Sequence, residues 1–314
     1  MSQQSLSEYL VHGQTPFFRL PSASPLVAPE SVAGADVVFM GVPYDSGTTY
    51  LPGARMGPYA LRRVSGYVGP HHGGRGCAPF EKLSCLDGGN IPAPPFDAAQ
   101  MRELVQAGVG ATVAAGARPF VVGGDHSITL PVLRALKAEH GPIALVHVDA
   151  HFDTSDDSTW GEAFHHGTPI RHALTEGLIA PGGLFQVGLR GPWKDAAEPD
   201  VSRAHDARMF PMDDVERRGI PEICAEIVAA AGDRPLYLSF DIDAVDPAYA
   251  PGTGTAVPGG LSSREALALV RGLAGVNLVG MDLVELAPAY DHADITTLLS
   301  AYLMFEGAAL LTCL

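Results

Sequence analysis

Ile143-Ala144-Leu145-Val146-His147-Val148-Asp149-Ala150-His151-Phe152-Asp153 is the stretch whose reading decides the fold. Its first six residues form a short run, rich in β-branched residues and apolar on both faces, as in a strand buried inside a parallel sheet. The next five set Asp149, His151 and Asp153 at the carboxyl end of that strand, alternating with small or apolar residues. Open α/β sheets bind ligands at this end, because the strand-to-helix loops converge there. The stretch therefore reads as half of a two-metal site.

Outward from it, strand and helix signals alternate. Strands are predicted over 37–42, 83–87, 119–122, 184–189, 235–240 and 277–283, and helices over 58–65, 97–115, 169–176, 221–231 and 295–311. Ser127 or Thr129 can cap another helix, with Pro131 near its first turn and Gly141 at its end. Ser262 and Glu265 form a capping box for a helix running to about 273. The fold expected is α/β: three layers, α/β/α, around a mainly parallel central sheet. Residues 1–34, with Pro16, Pro21, Pro25 and Pro29 among polar residues, read as an irregular N-terminal arm. Residues 35–314 read as one domain.

Composition excludes several classes. Hydrophobic content of 46% with 18% charged residues suits a compact globule, and no segment is long and apolar enough to span a membrane. A net charge of −15 argues against nucleic acid or an anionic membrane as partner. The N-terminus lacks the basic-then-apolar build of a secretion signal, so a cytoplasmic protein is expected. Cys77, Cys85, Cys224 and Cys313 are scattered without a C-x-x-C pair, and are expected to be reduced and structural.

Three predicted strand ends carry metal-ligand chemistry: Gly123-Gly124-Asp125-His126, Asp149-Ala150-His151-Phe152-Asp153 and Asp241-Ile242-Asp243. Singly each is an ordinary cap or turn. Together, at one end of parallel strands, they make a constellation. Oxygen and imidazole donors without sulfur suit Mn²⁺, with Ni²⁺, Co²⁺ or Zn²⁺ as alternatives. If His126, Asp149, His151, Asp153, Asp241 and Asp243 are the ligands, four carboxylates offset two divalent ions. Between such ions a bridging water loses a proton near neutral pH and becomes a nucleophile.

Together with Ser239-Phe240-Asp241-Ile242-Asp243-Ala244-Val245-Asp246-Pro247 and Gly280-Met281-Asp282-Leu283-Val284-Glu285, these motifs resemble the ureohydrolase family of arginases, agmatinases and related amidinohydrolases. Four motifs stand in the family's order. Pro52-Gly53-Ala54-Arg55-Met56-Gly57-Pro58 and His166-Gly167-Thr168-Pro169 resemble its agmatinase branch. The resemblance implies a dinuclear Mn²⁺ cluster, a small guanidino substrate, urea as product, and a homotrimer or homohexamer. It implies that His126 binds one metal with Asp153, that His151 binds the other with Asp243, and that Asp149 and Asp241 bridge them. Asp153 would also orient the nucleophile, Glu285 would pair with the guanidinium, and His166 would carry the proton to the departing amine.

Substrate choice is expected in the loops at 44–55, 155–164 and 190–194. The second combines three acids with Trp160, which suits a cationic tail such as agmatine's by cation–π contact, though an exposed acidic loop has the same composition. Agmatine is the leading substrate, with 4-guanidinobutanoate, 3-guanidinopropanoate, a proclavaminate-type guanidino acid or a small alkylguanidine as rivals. From other classes, a deacetylase-like amidohydrolase and a non-catalytic subunit of a mixed oligomer remain as alternatives. His165 is expected to be structural and Asp125 to orient a ligand.

Overall fold

Apolar runs without polar alternation need cover on both faces, and the helices between successive strands supply it. The computed structural model describes residues 16–158, 160–193 and 196–312. In chain order the elements are β1 (Val37–Val42), α1 (Gly57–Ser65), α2 (Pro79–Lys82), β2 (Cys85–Asn90), α3 (Ala98–Ala114), β3 (Arg118–Gly123), α4 (Thr129–His140), β4 (Ile143–Val148) and α5 (Pro169–Thr175). They continue with β5 (Ile179–Val187), α6 (Asp200–Ala204), β6 (Arg208–Phe210), α7 (Met212–Arg218), α8 (Ile220–Ala231), β7 (Pro235–Asp241), α9 (Ser263–Gly272), β8 (Asn277–Val284) and α10 (Ile295–Leu310).

The strands form one eight-stranded sheet in the order β2-β1-β3-β8-β7-β4-β5-β6. Every pair is parallel. One apolar layer joins the sheet to α1, α8, α9 and α10, and the other joins it to α3, α4 and α5. β7 and β8, last in the chain, are inserted between β3 and β4. The four strands in the middle of the sheet are thus the four whose ends carry His126, Glu285, the pair Asp241 and Asp243, and the Asp149–Asp153 stretch.

Local signals account for several boundaries. Asp97 caps α3 by accepting from the Gln100 N–H at 2.8 Å. Ser262 and Glu265 complete the capping box of α9. Gly141 ends α4 with φ 72°. Before α4, neither Ser127 nor Thr129 acts as cap: Asp125 caps a single 3₁₀ turn, His126–Ile128, that leads into the helix. β5 begins at Ile179, five residues before the predicted start, because Gly182 and Gly183 mask the strand pattern. α6, β6 and α7 are short and carry no clear periodicity in the sequence. From residue 16 onward the arm is anchored, with Phe17 and Phe18 fully buried and their rings 6.2 and 5.2 Å from that of Phe39. Cys85 and Cys224 are free and buried, as expected. Cys77 is disulfide-bonded, which corrects the expectation of four reduced thiols; Cys313 lies outside the described residues.

Candidate metal centre

His126 stands where β3 gives way to the 3₁₀ turn, and its two ring nitrogens face opposite chemistries. Nε2 lies 2.9 Å from Ser239 Oγ, and that hydroxyl donates to Asp282 Oδ1 at 2.7 Å. The serine oxygen therefore accepts from Nε2–H, which leaves the neutral ring a lone pair on Nδ1. Nδ1 is 3.1, 3.0 and 3.2 Å from carboxylate oxygens of Asp149, Asp153 and Asp241. Three carboxylates around a buried lone pair need a cation. Nδ1 and Asp149 Oδ2 are both buried without a hydrogen-bond partner, as atoms arranged for a metal would be. In the absence of an ion a proton takes that place. Burial opposes the charge, but the nearby carboxylates of Asp149, Asp153 and Asp241 outweigh it and lift the His126 pKa well above the ordinary histidine value.

Asp149 faces both ways. Oδ2 points to His126 and Oδ1 lies 3.4 Å from His151 Nδ1, which is 3.1 Å from Asp243 Oδ2. Asp243 is steadied by the Ala150 N–H at 3.2 Å and the Thr255 hydroxyl at 3.1 Å. Burial, with the neighbouring carboxylates Asp243 and Asp149, pushes Asp241 well above the usual carboxylate range. Asp149, His151 and Asp243 can hold one ion, and His126, Asp149 and Asp153 another. All six predicted ligands are brought together.

Glu285 and His166 meet beside them. Glu285, 2% exposed, accepts from the His126 N–H at 2.8 Å and lies 2.9 Å from His166 Nδ1. Thr49 Oγ1 is 2.7 Å from His166 Nε2. Burial alone would lower the His166 pKa, but the Glu285 carboxylate reverses the shift and holds it at about 9. His151, Asp153, Asp241, Asp243 and His166 line a cavity of about 120 Å³, with Trp160 in its wall, 59% exposed.

Residues 35–309 match the arginase family. The chain belongs to the arginase family. It is 42% identical to proclavaminate amidinohydrolase of Streptomyces clavuligerus over 96% of this chain and 95% of that protein. It is also 42% identical to mitochondrial agmatinase of Gallus gallus over 88% of this chain and 81% of that one. The solved structure of the Streptomyces clavuligerus enzyme superposes with a TM-score of 0.87 at 41% identity, covering 95% of this chain and 98% of that one. This arginase-family chain is accordingly a hydrolase of carbon–nitrogen bonds in linear amidines, an amidinohydrolase acting on guanidino compounds.

Around this arginase-family centre, the loops expected to choose the substrate are partly engaged with the protein itself. Ser155 and Trp160 line the cavity, but Asp156 lies 3.9 Å from Arg171 and Glu162 accepts from the Phe164 N–H at 3.0 Å. These two acids are engaged with the protein itself. Arg190 donates to the carbonyls of Gly188, Asp243, Ala244 and Val257, so it braces the Asp243 loop instead of offering a free cation. Thr159 and Lys194 lie outside the described residues. His165 lines the cavity and also braces its own turn, Nδ1 accepting from the Gly167 N–H at 3.1 Å. The Asp125 carboxylate accepts from the N–H groups of Gly47 and Ser127, tying the loop after β1 to the His126 turn.

Sequence reasoning gave no role to Ser239, Asp282, His147, Gln186 and Ser202, all fully buried. For His147 a signal was present: it precedes Asp149 by two residues and so shares its face of the strand. The rest are partnered across strands or from a helix, which spacing along the chain does not reveal.

Proposed function

We propose that this amidinohydrolase converts a linear guanidino compound and water to urea and an amine, with agmatine as the leading substrate. The observation that carries the reading is the buried His126 Nδ1 lone pair surrounded by three carboxylates beside the cavity, with the His166–Glu285 pair next to it. His126, Asp149, His151, Asp153, Asp241 and Asp243 would hold two divalent ions, Mn²⁺ first and Ni²⁺, Co²⁺ or Zn²⁺ as alternatives. Ions so held supply Lewis acidity and a water that ionises near neutral pH. Asp153, in the cavity wall, accepts a hydrogen bond that aims the attacking water at the guanidinium carbon. Glu285 supplies the negative charge that draws the guanidinium towards His166. His166, whose protonated form the Glu285 carboxylate favours, gives its proton to the departing amine nitrogen. Trp160 offers its ring to a cationic tail.

A guanidino acid is the second reading. It is favoured by the engagement of Asp156 and Glu162 with the protein, and by similarity to proclavaminate amidinohydrolase along almost the whole chain. A homotrimer or homohexamer in the cytoplasm is the proposed state. Urea release from agmatine, 4-guanidinobutanoate, 3-guanidinopropanoate and an alkylguanidine, after loading with Mn²⁺ or Ni²⁺, tests the proposal. Fastest turnover of agmatine supports it, and turnover of the acids alone moves the assignment to the second reading. Silence across the panel, or hydrolysis of acylated amines without urea, overturns both.

A further inference from the structure

His147 lies in β4, fully buried, and its two ring nitrogens have different neighbours. Nε2 is 2.9 Å from Asp149 Oδ2, close enough for the residue to join the ligand cluster around His126. Nδ1 is 3.1 Å from Gln186 Nε2. Which nitrogen carries the proton follows from Gln186. The same amide nitrogen donates to the Phe152 carbonyl at 3.1 Å, and a carbonyl only accepts, so this end of the side chain is the NH₂. Its other end, Oε1, accepts from the Ser202 hydroxyl at 2.6 Å. Turning the amide over would set two oxygens against each other at Phe152. Gln186 therefore presents an N–H to His147 Nδ1, which must offer a lone pair, and the neutral ring carries its proton on Nε2, beside Asp149. A ring protonated at Nε2 cannot give that nitrogen's lone pair to a metal. The 2.9 Å contact is short but lacks hydrogen-bond alignment, and neither atom has a hydrogen-bond partner.

We infer that Ser202, Gln186 and His147 form a relay that positions Asp149: they fix the His147 tautomer and set the protonated Nε2 edge of the ring beside Oδ2, 2.9 Å away. The carboxylate is thereby kept with Oδ2 towards His126 and Oδ1 towards His151. His147 is a positioning residue, and Ser202 reaches it from α6 across β5. The inference rests on the reading of Asp149 as a metal ligand.

The test is Mn²⁺ titration by calorimetry, with metal content per chain, on the full-length protein and the variants His147→Leu, His147→Gln, Gln186→Leu and the Gln186→Leu/His147→Leu double. His147→Leu is expected to weaken metal binding about 10–100-fold while two ions still bind at saturation. His147→Gln, which keeps an N–H near the Nε2 position, is expected to recover most of that loss. The double variant is expected to be no worse than His147→Leu, because Gln186 acts through the ring. Should the leucine variant fail to fold, Gln186→Leu against wild type carries the comparison. The imidazole ¹⁵N NMR signature of His147 should be that of the Nε2–H tautomer. Unchanged affinity in His147→Leu, additive losses in the double variant, an Nδ1–H tautomer, or loss of one ion in both His147 variants overturns the relay alone. A wild-type protein that takes up no divalent ion overturns the metal-centre reading and the relay with it.

Discussion

Glu285 and Asp153 both take left-handed backbone conformations, with φ 62° and 53°. For residues other than glycine this costs on the order of 1–3 kcal/mol, and it persists where surroundings over-determine it. Here the Glu285 N–H donates to the Gly124 carbonyl at 2.9 Å, and the Asp153 carbonyl accepts from the N–H groups of Ile170 and Arg171. The conformation at Glu285 turns its carboxylate back to His126 and His166. His166 then titrates at about 9, above the 6.5 of an ordinary histidine. Because the folded-state value is the higher, the pair's contribution to stability is complete below about pH 6.5 and is lost as pH rises through about 9. Glu285→Gln should move the His166 midpoint down towards the ordinary range, read by imidazole NMR on the chelator-treated protein. A midpoint that stays near 9 would sink the assignment of Glu285 as the cause.

At the scale of elements, the site depends on close approach between the ends of β1 and β3. A Cβ on Gly124 would collide with the Tyr44 carbonyl and come within 2.8 Å of the Val42 carbonyl. Gly124→Ala should therefore destabilise the fold by about 1–3 kcal/mol in a denaturant titration. Metal content should fall too, since His126 lies only two residues on and its turn hangs from the same joint. Wild-type stability with two ions per chain would refute this. The elements that were readable are those with their own signal: uniform apolar runs for β1, β4 and β7, and side-chain caps for α3 and α9. α6, β6 and α7 are short and half-exposed, and their order comes from packing against β5 and α8. Ser202, on α6, was illegible for that reason.

For the whole molecule, stability is coupled to what fills the centre. Burial first, with neighbouring carboxylates, lifts Asp241 and Asp243; burial with Glu285 lifts Asp125 to about 7. His126 and His151 are also lifted, their carboxylate partners outweighing burial. All five groups hold more protons in the folded than in the unfolded protein, so without metal, stability falls as pH rises above the unfolded carboxylate value of 3.8. Asp149 runs the other way: burial would raise it, but its histidine neighbours hold it well below 3.8, so its contribution is lost only in stronger acid. Chelator-treated protein should melt lower at pH 8 than at pH 5. Metal at about 100 times its dissociation constant should restore about 2.7 kcal/mol. A melting temperature indifferent to chelator at pH 8 would contradict the charge-balance reading.

The sequence by itself determined the α/β class, most strand positions and the six clustered carboxylates and imidazoles, because apolar runs, glycine stops and alternating ligands are written at short range. His166 and Glu285 were legible only through family motifs. The order of the sheet, with β7 and β8 inserted between β3 and β4, was decided by tertiary structure, since parallel pairing joins residues far apart in the chain. Tertiary structure also decided the fate of individual charges. Arg190 spends its donors on backbone carbonyls, Glu162 caps its own loop, and His147 turns one nitrogen to Gln186 and the other to Asp149. A side chain's type states which hydrogen bonds it can make; only packing selects the partner, and with it the tautomer and the role.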